Sequence, residues 1–212
     1  TPIDSAMVSK SIETAQKRVE ARNFDIRKNV LDYDDVMNQQ REIIYGQRMQ
    51  VLREEDLRPQ IMGMLKDVIN RRVAEAAHVS GSQYPEEWDL EGLIADADQF
   101  WPHNELTRDD LAKRSKEEIE EFFYDGAKAY YDARAEKMGD EQFRALERLV
   151  ILKVVDDKWM THIDAMDMMR QGIGLRAYGQ HNPLIEYKSE AFNMFETMIE
   201  DIQDNVVRLM MR

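Results

Sequence analysis

Along residues 142–211, apolar side chains return at steps of three and four in two separate stretches. The first carries Leu149, Leu152, Val155, Trp159, Ile163, Met166, Met169 and Ile173, and the second carries Ala191, Phe195, Met198, Ile202, Val206 and Leu209. This period lines one face of an α-helix. Between them Gln171 to Gln180 holds Gly172, Gly174 and Gly179, and an Asn182-Pro183 step follows. The spacing predicts that the helical pattern breaks here and the chain folds back, giving an antiparallel hairpin whose tip carries Tyr178 with Arg176 close by. On spacing alone Tyr178 is either a contact residue or a loop aromatic with no task.

Upstream, residues 3–45 contain neither glycine nor proline, and Val19, Ile26, Val30, Tyr33, Met37, Ile44 and Val51 fall on one seven-residue repeat. One long helix is expected from Ile3 to about Leu52, roughly 75 Å at ~1.5 Å per residue. Thr1, Pro2 and Asp4 suit its start. Asn23, Gln40 and Gln47 interrupt the seam, which fits a spine touching several neighbours better than one continuous partner. The middle section is more punctuated. Ile61, Leu65, Val68 and Val73 mark one helix, and Leu90 to Phe100 holds a short second. Ser115 with Glu118 forms a capping box for a third that stops at Gly139, after which Asp140 is expected to cap the first arm of the hairpin. No useful strand alternation is present, so the expected fold is all-α. The expected divisions are 1–53 for the long helix, 54–139 for a small helical unit and 140–212 for the hairpin.

Magnitudes constrain the assembly. Each apolar side chain of the first arm contributes ~1.5–3 kcal/mol on full burial, while ordering each residue costs roughly 1–2 kcal/mol. A lone hairpin is therefore marginal, and the apolar face of the spine is its natural third surface.

Composition narrows the chemistry. The 212 residues carry a net charge of -13, with basic residues interleaved among acids, which argues against a nucleic-acid module. With no cysteine there is no disulfide framework or thiolate zinc site, which fits a reducing cytoplasm. The longest apolar run, Leu149 to Val155, is broken by Lys153 and is far short of the ~18 residues of a membrane span. No signal peptide is expected, and membrane contact is expected to be peripheral. No glycine stands in a phosphate-binding loop or dinucleotide fingerprint. The serines read as solvated, turn or cap residues rather than nucleophiles. Glu75-Ala-Ala-His78 has the spacing of one half of a di-metal carboxylate site but lacks its second copy, so it reads as an exposed helix end. Asp32, Asp34 and Asp35 read as a solvated face or a partner contact. Met160, Met166, Met168 and Met169 read mainly as core filling, with an adaptable binding surface as the alternative.

Two long segments, Gln16 to Arg41 (QKRVEARNFDIRKNVLDYDDVMNQQR) and Trp159 to Gln180 (WMTHIDAMDMMRQGIGLRAYGQ), closely resemble the SecA family of bacterial protein-translocation motors. The similarity continues through Asn182 to Lys188 (NPLIEYK) and covers the chain in order, in a style nearest to Gram-positive relatives. The resemblance implies the helical scaffold and helical wing domains, with the hairpin as the two-helix finger. It implies that Tyr178 and Arg176 contact preprotein, and that Arg170, Gln171 and Gly172 take part in restraining ATP hydrolysis. It also implies SecA motor domains, the SecYEG channel and unfolded preprotein as partners, a possible dimer, and a cytoplasmic location at the inner face of the cell membrane. ATP and magnesium belong to the full-length relative. This chain resembles an excised C-terminal fragment with no cofactor and no catalytic or metal residues of its own. Many relatives carry histidine where Gly174 stands and alanine where Gly179 stands, which implies a looser tip here. A stand-alone helical adaptor is the other reading.

Overall fold

The computed structural model describes residues 6–98, 101, 106–176 and 182–212. Among them the chain is all-α, with no strand. Helix α1 spans Ala6–Arg53, α2 Arg58–Ser80, α3 Leu90–Ala97, α4 Arg108–Ala112, α5 Lys116–Met138, α6 Asp140–Arg176 and α7 Pro183–Met210, with a 3-10 turn at Pro85–Glu87.

Local chemistry explains most of these limits. Gly81 ends α2 in the left-handed region at φ 68°, a conformation that costs a residue without Cβ little. Ser115 accepts from the Glu118 amide while the Glu118 carboxylate accepts from the Ser115 amide, closing the expected capping box of α5. A second box, Thr107 with Asp110, opens α4, and there the hydrogen bonds from Thr107 hold the Asp110 carboxyl below its ordinary pKa. Asp140 does not cap the first arm. It is the first residue of α6, and the Gly139 carbonyl accepts from the Phe143 amide at 3.0 Å. Gly139 has φ 90°, so one glycine both stops α5 and precedes α6.

The break between the hairpin arms comes later than the glycines suggest. Helix α6 runs through Gly172 and Gly174 to Arg176, because an interior glycine costs only ~1 kcal/mol and does not by itself end a helix. Asn182 then starts α7. Its side-chain oxygen accepts from the Leu184 amide and its carbonyl from the Ile185 and Glu186 amides, with Pro183 in the first turn.

Two compact units divide the chain. One comprises residues 1–43 with 166–193, the other residues 44–165 with 194–212. In the first, Met166, Ile173, Tyr187 and Ala191 are buried along with Gln40. In the second, the apolar core draws on α1 (Ile44, Val51), α2 (Ile61, Leu65, Val68), α5 (Phe123, Ala127, Tyr131), α6 (Ile151, Val154, Val155, Trp159) and α7 (Ile202, Val206, Val207, Met210). A subsidiary cluster within it joins Val73, Trp88, Leu90, Leu93, Leu111, Ile119 and Phe123.

Several stripe residues are not covered. Leu149 is 63% exposed and Leu209 40%, while Ile151 and Met210 take buried places instead. On α1 the seam is covered at Ile44 and Val51, but Val19, Ile26 and Val30 stay exposed. Met160 and Met168 are exposed too, so only Met166 of the four α6 methionines is fully buried.

Candidate functional site

In the unit of residues 1–43 and 166–193, α1 meets both arms of the hairpin. Arg170 on α6 lies 3.1 Å from the Asp34 carboxylate on α1, and its guanidinium sits 5.9 Å from the Tyr33 ring centre. Tyr33 in turn meets Tyr187 of α7 edge-on, with centroids 4.8 Å apart. Seven residues beyond Tyr33 along α1, the Gln40 amide donates to the Ala191 carbonyl of α7 at 3.0 Å. One helix thus holds both arms: α6 by charge, α7 by an aromatic edge and a buried amide.

The ties differ in character. Arg170 and Asp34 are 41% and 48% exposed at the side chain, so water and salt screen the pair and its worth is small. Gln40 is 6% exposed and Tyr187 1%. Burial pushes the Tyr187 phenol above its ordinary pKa, with Arg170 acting in the opposite sense. The buried contacts fix the position of α7, and the exposed ion pair is the part that can open.

Arg170, Gln171 and Gly172 lie inside α6 rather than in a loop. Gln171 is exposed, and a methyl group added at Gly172 would meet nothing within 4 Å. Tyr178 lies outside the described residues, as does the side chain of Arg176, the last residue of α6. Two participants were not singled out from spacing: Tyr33 read as seam and Tyr187 as part of a resemblance segment. Asp34 read as solvated face or partner contact. Its partner is an internal one, 136 residues away, and only the antiparallel course of α1 and α6 brings the two together.

The second unit holds two buried titratable groups. Tyr131 donates a hydrogen bond to Glu147, joining α5 to α6 across the Gly139 turn. Burial pushes the Glu147 carboxyl up, against the effect of the Tyr131 hydrogen bond. Burial and the adjacent carboxylate push the Tyr131 phenol up as well. His162 stacks on Trp159 at 5.6 Å and meets the Phe195 edge at 5.8 Å. Burial lowers its pKa. Glu75 and His78 are exposed on the last turns of α2, Glu75 being 4.0 Å from Arg72. Among the described residues no group of three or more potential ligands could hold a metal, and no helix is long and apolar enough to cross a membrane.

The SecA Wing and Scaffold domain family matches residues 2–212. The chain is 53% identical over 212 residues to the protein translocase subunit SecA of Pelotomaculum thermopropionicum and 54% identical over 213 residues to that of Carboxydothermus hydrogenoformans, in each case with all of this chain and 24% of the relative covered. The SecA subunit of Syntrophomonas wolfei is 48% identical over 212 residues, again with the whole chain and 25% of the relative aligned. The chain thus spans about a quarter of the length of these relatives.

Proposed function

The chain belongs to the SecA family through its wing and scaffold domain, and on that footing we propose that it is the scaffold and substrate-engaging part of a protein-translocating motor. On this reading residues 1–53 form the scaffold helix, 54–139 the wing, and 140–212 the finger with the helix that follows it. ATP is bound and hydrolysed by motor domains outside this sequence. Their motions reach a preprotein in the SecYEG channel through the finger, with Tyr178 and Arg176 at the point of contact.

The observation that carries this reading is the three-way holding of α6 and α7 by α1 through Asp34, Tyr33 and Gln40. A finger transmits force only if its base is fixed. The buried Gln40 and Tyr187 contacts supply that, while an aromatic residue at the tip suits sequence-tolerant grip through area rather than specific hydrogen bonds. The exposed Arg170–Asp34 pair supports a regulatory part for Arg170, because a screened pair at the finger base can open without unfolding either helix. Gln171 and Gly172, on the same turn of α6, would move with it.

In the full-length protein, Tyr178→Ala is expected to reduce preprotein transport at least tenfold while leaving nucleotide binding unchanged, measured by protease protection of a transported substrate. Unchanged transport would remove the tip from the mechanism. Asp34→Asn is expected to raise basal ATP hydrolysis severalfold, followed by phosphate release, with helical content retained. An adaptor unconnected to a motor would instead leave the hydrolysis of separately produced motor domains unaltered when this chain is added.

A further inference from the structure

Helix α2 carries an arginine where its own pattern calls for an apolar residue. Ile61, Leu65 and Val68 are buried at steps of four and three, and the next step along that stripe is Arg72. Below it, α2, α3, α5 and Trp101 leave a small apolar cavity of about 30 Å³, lined by Val68, Leu93 and Phe123 as well as by Arg72 itself. A guanidinium in that place needs carboxylates, and it has two from different helices. Arg72 lies 2.8 Å from Asp204 of α7 and 3.3 Å from Asp96 of α3. The neighbouring Arg71 reaches the other oxygen of Asp204 at 2.5 Å and the side-chain oxygen of Gln203 at 3.0 Å. Gln203 completes the seam by donating to Asp67 at 3.0 Å.

The ion pairs and side-chain hydrogen bonds between α2 and α7 along this stretch centre on Asp204 and Gln203. The contact between α2 and α5 has the opposite character. Ile61, Leu65 and Val68 on one side and Ile119, Phe123 and Ala127 on the other are buried. We propose that Asp204, with Arg71, Arg72 and Asp96, forms a releasable electrostatic clasp that holds α3 and the adjoining end of α2 to α7, so that this end swings free when it opens. Side chains of Arg71, Arg72, Asp96 and Asp204 are 27%, 32%, 32% and 28% exposed. Water enters such a seam readily, unlike an apolar one, and a competing charge can replace either partner. Helix α5 stays in place, since Arg134 donates to the Met210 carbonyl at 2.9 Å and Tyr131 donates to Glu147.

Spin labels on cysteines placed at the exposed positions Glu91 of α3 and Glu196 of α7 test this in the full-length protein made otherwise cysteine-free. The distance distribution between the labels is expected to be narrow in the unsubstituted protein. Asp204→Asn is expected to make it at least twice as wide, and Arg71→Gln combined with Arg72→Gln the same from the other side. Circular dichroism should show unchanged helicity in each. A distribution that stays narrow in these variants would overturn the clasp, because apolar packing would then be holding α3 to α7. Should Asp204→Asn fail to fold, the double arginine variant decides alone, a narrow distribution in it overturning the proposal.

Discussion

Glu147 is 3% exposed and shares a hydrogen bond with Tyr131. Because burial raises its pKa, the folded protein keeps that proton to a higher pH than the unfolded chain does. The stability this group contributes is fully present below its unfolded value of ~4.3 and is lost as pH rises through its folded value. Glutamine keeps an acceptor for Tyr131 and removes the titration. Thermal melting should therefore show Glu147→Gln gaining on the parent protein as pH rises from ~5 to ~7; an equal difference at both pH values would mean burial does not govern this carboxyl. His162 moves the other way. Its pKa is lowered by burial between Trp159 and Phe195, so its contribution is present above the unfolded value of ~6.5 and is lost as pH falls through the folded one. Its ring proton signals are expected to titrate with a midpoint below ~6.5, and a midpoint at or above that value would contradict the burial argument.

Among elements, two helical glycines show how packing overrides propensity. A Cβ on Gly63 would meet nothing within 4 Å, so Gly63→Ala should stabilise the protein by ~0.5–1 kcal/mol through helix propensity. A Cβ on Gly126 would fall 2.1 Å from the Trp101 ring, which in turn meets Phe122 and Phe123 edge-on. Gly126→Ala should therefore lower stability by ~1–3 kcal/mol despite the same gain in propensity. Denaturant unfolding of the two variants checks both signs. A Gly126→Ala protein as stable as Gly63→Ala would show that Trp101 is not seated on α5. The capping box of α5 predicts a loss of ~0.5–2 kcal/mol for Ser115→Ala in the same measurement.

For the molecule as a whole, the covered and uncovered parts of α1 matter most. Ile44 and Val51 are buried, yet Met7, Ile12, Val19, Phe24, Ile26, Val30 and Leu31 remain exposed between residues 7 and 31. A helix with this much apolar surface is under-packed within this chain. If this chain works with motor domains as proposed above, they are the candidate cover for this face. Amide hydrogen exchange over residues 6–31 is then expected to slow at least tenfold when separately produced motor domains are added. Unaltered exchange there would leave that face without the proposed partner.

The sequence by itself determined that the chain is helical, where α5 ends, that Ser115 and Glu118 cap α5, and that the helical pattern breaks ahead of the second arm. These are local matters, settled by a few adjacent residues through backbone freedom and capping hydrogen bonds. The close of α6 was misjudged because its glycines signal a break that its helical hydrogen bonds override. Which face of each helix is covered was only partly readable, since Leu149 and Ile151 fit a helical stripe about equally well and only neighbouring helices decide between them. The ties at Asp34, Gln40 and Asp204 belonged to the tertiary structure alone. Their partners lie 136, 151 and 132 residues distant, and in a chain that is 33% charged any carboxylate has many candidate cations until folding selects one.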